Sequence, residues 1–117
     1  MKNSKFDLEE RTATFAERVR MFVRRLPRTV TNYEDVKQLV RSSGSVGANY
    51  IEANESLSKK DFGMRVKICR KEAKESIYWL RLVDLQKDVT LVSERDGLMQ
   101  ECGELMKIFG AILEKTK

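Results

Sequence analysis

With 117 residues, a net charge of +5, 35% charged and 41% hydrophobic residues, the chain suffices for one domain with a real core and is too short for two. A single proline leaves few helix breakers, which fits an all-α protein, and no stretch approaches the ~18 apolar residues of a membrane span. The absence of histidine removes the commonest general base and the commonest metal ligand. The polar stretch Met1 to Glu10 lacks the apolar segment of a secretory signal, so the cytoplasm is the default compartment.

The first predicted helix carries Leu8, Thr12, Phe15, Val19, Phe22 and Leu26 at alternating spacings of four and three, one continuous helical face. Asp7-x-x-Glu10 has the form of a capping box at its start, and Pro27 ends it. Thr31-x-x-Glu34 is a second capping box. It opens a helix with the stripe Val36, Leu39, Ser43, Val46, Tyr50, Ala53, Leu57, and a neighbouring stripe, Tyr33, Val36, Val40, Ser43, Gly47, Tyr50, also fits. Ser58-x-x-Asp61 signals a third start, followed by Phe62, Val66, Cys69, Ala73, Ser76, Leu80 and Val83. Asp88 to Val92 is the expected loop, with Ser93 capping a last helix whose stripe is Leu98, Cys102, Leu105, Phe109, Ile112. Four amphipathic helices with short connections predict a single up-down-up-down, antiparallel four-helix bundle over residues 1–117. Cys69 and Cys102 fall on apolar stripes and read as reduced core thiols.

The second helix holds an unusual run, Ser43-Gly44-Ser45-Val46-Gly47-Ala48. Glycine costs about 1 kcal/mol relative to Ala in a helix interior, so close approach of another backbone is the expected compensation. Arg41, Ser45, Asn49 and Glu52 share one face of this helix. A ligand site is one reading of that stripe. A hydrogen-bonded network fixing helix register or a subunit interface is the other, and the one favoured. A buried Arg41 needs a carboxylate; Glu75 is the first candidate partner and Glu72 the second. Tyr78 and Trp79 point about 100° apart, so one of them packs at a second interface or lies at an edge. On the last helix Gly103 and Gly110, with Gly97 near their line, suggest another close contact.

Gln38 to Ala53 resembles the pattern Q-x-x-R-S-x-x-S-I/V-x-A-N-x-x-E-G/A of a small bacterial family of four-helix bundle proteins, the 23S rRNA intervening-sequence proteins. Arg11-Thr12-x-x-Phe15-Ala16, Leu26-Pro27, Ser58-Lys59-Lys60-Asp61-Phe62 and Lys71-Glu72-Ala73-x-Glu75-x-x-Tyr78-Trp79-Leu80 extend the resemblance over about Phe6 to Leu85. Gly47 stands where many members have Pro, and Ala53 where many have Gly. The resemblance implies a ring-shaped homopentamer of antiparallel four-helix bundles. It also implies a relation to the accessory proteins of diversity-generating retroelements, which work with a reverse transcriptase and nucleic acid. It carries no catalytic, cofactor-binding or metal-binding residues.

Lys60, Lys67, Lys71 and Lys74 lie within about 40° of one direction on the third helix, opposite Cys69 and Leu80, with Arg70 alongside. The first helix adds Arg11, Arg18 and Arg25 at spacings of seven, with Arg20 and Arg24 on other faces. Arginines at such an edge suit phosphate or salt bridges to a neighbouring helix. A ring of five such chains carries about +25, and repeated weak phosphate contacts add steeply. No base-reading signature is present, so RNA, DNA or hybrid would be held by backbone and shape. The leading expectation is therefore a non-enzymatic, homo-oligomeric nucleic-acid-binding accessory protein contacting it through Arg18, Arg20, Arg24, Arg25, Lys60, Lys67, Arg70, Lys71 and Lys74. A protein-interaction scaffold is the alternative. An enzyme built on Glu52, Glu72, Glu75 and Lys71 ranks last, because the carboxylate sites of helix bundles also use histidine.

Overall fold

Four helices, α1 (Ser4–Arg24), α2 (Val30–Asn54), α3 (Lys59–Leu82) and α4 (Val89–Lys115), make up the computed structural model. It describes the backbone of residues 4–117 and side chains from Leu8 onward. No strand occurs among the described residues.

In α1 the whole stripe from Leu8 to Leu26 is buried. The helix begins at Ser4, so Asp7 lies within it and does not mark its start; the Asp7 side chain lies outside the described residues. Its C-terminal end tightens, with Arg25 N donating to Phe22 O and Leu26 N to Val23 O, just before Pro27 bars continuation.

Thr29, not Thr31, caps α2: its Oγ1 accepts from Asn32 N at 3.1 Å. The reason is Asn32. This buried side chain donates through Nδ2 to Pro27 O and Asp84 O, each at 2.9 Å, and accepts from Asp84 N at 2.8 Å. It ties the α1–α2 turn to the α3–α4 turn and thereby fixes where α2 starts. Leu39, Ser43, Val46, Tyr50 and Ala53 of the predicted stripe are buried. Its last member is not: Leu57 follows the helix and is 99% exposed, and Tyr33, which opens the neighbouring stripe, faces outward beneath the Lys37 ammonium.

Ser58 caps α3 as the sequence predicts, accepting from Asp61 N at 3.0 Å. For α4 the expected loop is wrong. Asp88 is the cap, accepting from Leu91 N at 3.1 Å, and Ser93 sits in the first turns of the helix. Leu91 lies seven residues before Leu98, continues the apolar stripe and is buried, which draws the helix start back. The true turn carries Gln86 and Lys87 at φ 49° and 62°, in the left-handed region.

The helices form a four-helix bundle 46 × 29 × 19 Å in extent. α2 packs most extensively on α3, then α3 on α4 and α1 on α2, while α1 and α4 meet least. α1 and α3 stand across the bundle from each other. Ser42 and Ser76, both buried, satisfy each other across α2 and α3 at 2.8 Å. The close approach expected at the glycine run occurs at Gly47, where a Cβ would lie 2.8 Å from Thr12 Oγ1 of α1. Gly103 has open space around it, contrary to the expected α4 contact, and Gly97 and Gly110 face only the ends of Arg18 and Arg70.

Candidate nucleic-acid interface

The apolar stripe of α3 faces the core, so helical periodicity places Lys60, Lys67, Lys71 and Lys74 in solvent, and all four are exposed. At ~1.5 Å per residue the ridge runs roughly 21 Å. Among the described residues none of these ammonium groups lies within salt-bridge distance of a carboxylate. Met64, Tyr78 and Leu82, all exposed, share the ridge, and Arg81 prolongs its charge. The sequence contained this signal, since residues 64, 67, 71, 74, 78 and 82 are spaced by three or four throughout. Reading it for charge alone left the apolar members out.

Arg70 flanks the ridge and leans toward α4, its Nη1 lying 3.8 Å from where a Gly110 Cβ would be. The α1 arginines are elsewhere. Arg11 grips Glu101 of α4 through two bonds of 2.8 and 2.9 Å, and Arg18 reaches Glu94 at 3.3 Å. These edge arginines clasp the seam where α1 meets α4. The Glu101 hydrogen bond raises the Arg11 pKa further. Arg20 donates to Ala16 O on its own helix at 3.1 Å. Arg24 borders a shallow cleft with Arg28, Tyr33 and Lys37, and Arg25 is exposed. Because α1 and α3 do not touch, the nine basic candidates do not form one surface on the chain.

The polar stripe of α2 resolves into two clasps on α3. Arg41 donates from Nη2 to Glu72 at 3.2 Å and also to Glu75. Its side chain is 48% exposed, so the expected burial is wrong: α2 and α3 bring the pair together at the bundle surface. Asn49 donates to Ser45 O at 2.9 Å and accepts from Arg65 Nη1 at 3.0 Å. Ser45 thus contributes its carbonyl, and the exposed Glu52 carboxylate joins neither clasp.

Glu75 links Arg41 to the aromatic pair. Trp79, half-buried, donates from Nε1 to Glu75 at 3.2 Å, and its ring meets Tyr78 near edge to face at 5.1 Å. Burial pushes the Glu75 carboxyl up, but the bonds from Trp79 and Arg41 outweigh it and leave the pKa below its ordinary value. The hydrogen bonds it donates to both carboxylates raise the pKa of the Arg41 guanidinium. Lys71, Lys74, Glu75, Ile77, Tyr78 and Arg81 line an open cleft beside this pair. Cys69 and Cys102 are free and buried, and burial pushes both thiols up to about 12, which removes them as nucleophiles at neutral pH.

The model of a family described as "23S rRNA-intervening sequence protein" matches residues 4–111. A solved structure of a protein with unknown function from the S23 ribosomal protein family, from Bacteroides thetaiotaomicron VPI-5482, is also similar. It is 27% identical and superposes with a TM-score of 0.82 over 94% of this chain and 97% of that one. Comparison with curated proteins gives no match.

Proposed function

The chain belongs to the 23S rRNA-intervening sequence protein family, and from that premise we propose that it is a non-enzymatic, homo-oligomeric protein that binds nucleic acid by its phosphate backbone. It serves as a ribonucleoprotein or reverse-transcriptase accessory factor in the cytoplasm. The observation that carries this reading is the α3 ridge: four exposed lysines along roughly 21 Å, none within salt-bridge distance of a carboxylate among the described residues, with Lys71 near enough to Glu75 only to lower its pKa. A protein gains little from leaving such a row unneutralised, whereas a phosphate chain releases counterions at each contact. No helix among the described residues is long and apolar enough to cross a membrane.

In this reading the helices alternate in direction. The pairings Asn32 to Asp84, Ser42 to Ser76 and Asn49 to Arg65 support it, since α3 numbers fall as α2 numbers rise. The subunits close into a ring of five, which repeats the ridge about one axis and turns weak contacts into avidity. Arg18, spent on Glu94, stabilises the fold, and the phosphate contacts come from Lys60, Lys67, Lys71 and Lys74 with Arg70 beside them.

The test is fluorescence anisotropy with RNA, DNA and hybrid duplex across a salt series, alongside light scattering for oligomer size. The ridge of one subunit predicts log affinity falling with log salt at a slope of about −3 to −4. Changing Lys60, Lys67, Lys71 and Lys74 to Glu is expected to abolish binding without dissociating the oligomer. Salt-independent or absent binding by the intact protein overturns the proposal and leaves the protein-scaffold reading.

A further inference from the structure

We infer that the cleft beside Tyr78 is a stacking platform for an unpaired nucleobase, so that the α3 ridge holds single-stranded nucleic acid. The inference rests on the phosphate-binding reading of the ridge and names its substrate class. Tyr78 lies on the same line as Lys60, Lys67 and Lys71, and the residue is 53% exposed. Exposed aromatics on the same line as a basic row add nothing to the grip on a duplex, whose base faces are covered by their neighbours. They add ~1–3 kcal/mol per base to the grip on a single strand, and do so for any sequence, because every base has a π-face.

The cleft is built for such an occupant. Lys71, Lys74 and Arg81 place three cations around the ring, and Ile77 supplies an apolar wall. The one carboxylate, Glu75, is engaged by Arg41 and Trp79, which offsets its charge toward a phosphate. Trp79 meets Tyr78 at an interplanar angle of 71°, so the two rings are not stacked face to face, and Tyr78 keeps over half of its surface open to an incoming base. Trp79 itself is held from behind by Glu75 and buttresses the tyrosine. Arg41 is then a positioning residue, acting on the platform through Glu75 and Trp79. A second copy of this chain is a poor occupant, since it would bring its own cations to a cationic cleft.

Trp79 is the only tryptophan, so its emission reports on this site alone. The probes are 12-nucleotide strands of mixed sequence, as RNA and as DNA, each offered single and as a duplex. Single strands of at least one sugar type are expected to bind more tightly than the duplexes and to quench Trp79. Tyr78→Ala is expected to weaken single-strand binding by roughly 5- to 100-fold while leaving duplex binding unchanged. Tyr78→Phe should retain it, and Tyr78→Leu, which keeps apolar bulk but no π-face, should not. The inference is overturned if Tyr78→Ala and Tyr78→Leu bind single strands like the native protein, or if duplexes bind as tightly as single strands. Binding lost on changing the four ridge lysines but indifferent to Tyr78 overturns the platform and leaves the ridge. Absence of salt-sensitive binding to every probe overturns both, as does a cleft occupied only by an acidic protein.

Discussion

A single methyl group decides how closely α1 can lie on α2. At Gly47 an added Cβ would sit 2.8 Å from Thr12 Oγ1 and 3.2 Å from its Cβ, and Thr12 is buried with nowhere to move. Gly47→Ala is therefore expected to destabilise the protein by about 1–2 kcal/mol, an overpacking cost that exceeds the gain in helix propensity. At Gly44 the nearest neighbour is the flexible end of Arg20 at 3.5 Å, so Gly44→Ala should stabilise by up to ~1 kcal/mol. Urea melts of the two variants test the pair. The glycine run was visible in the sequence, but which glycine faced α1 was not, because both lie near the edge of the buried stripe. Glu75 has a different signature. Its folded pKa lies below the ordinary 4.5, so its contribution is fully present above that value and is lost as pH falls through the folded one. The stability difference between native protein and Glu75→Gln, followed by urea midpoint from pH 7 to pH 3, should shrink below about pH 4. A constant difference would mean that Glu75 packs but does not pair.

At the scale of the element, caps separate what spacing predicts from what packing chooses. Four helical stripes were legible because alternation by three and four needs only the chain's own geometry. Boundaries were less so. Thr31 and Ser93 fit a capping pattern at α2 and α4 without serving as the cap, and Thr29 and Asp88 serve in their place. Thr29→Ala and Asp88→Ala are each expected to cost about 1 kcal/mol, and Thr31→Ala and Ser93→Ala close to nothing, in thermal or urea melts. The α4 error was avoidable, since Leu91 extends the stripe. The α2 error was not, since it depends on Asn32 meeting Asp84 across the molecule. On α3 the ridge was legible as charge. Its apolar companions Met64, Tyr78 and Leu82 acquire meaning only once they are seen to be exposed together.

Across the whole molecule, cohesion is uneven. Apolar burial is continuous, but the seam between α1 and α4 is the least packed and is held by Arg11 with Glu101 and Arg18 with Glu94. The Asn32 side chain joins two turns 52 residues apart through three hydrogen bonds. Removing it takes the side-chain partner from Asp84 N and O, while Pro27 O keeps its bond from Thr29 N, so Asn32→Ala is expected to cost about 2 kcal/mol, read as a lowered urea midpoint. A cost below 1 kcal/mol would show that water replaces it there. The same sequence gave no warning of this residue, because an asparagine near a helix start reads as ordinary turn chemistry.

The sequence by itself determined the helices, the buried stripes and the basic row on α3. These follow from a period of 3.6 residues and from the incompatibility of lysine with a core, both local properties of the chain. Tertiary structure alone decided which cations are spent and which are free. Whether an arginine meets a glutamate depends on helices far apart in sequence. So Arg11, Arg18 and Arg41 became clasps, while Lys60, Lys67, Lys71 and Lys74 remained facing water.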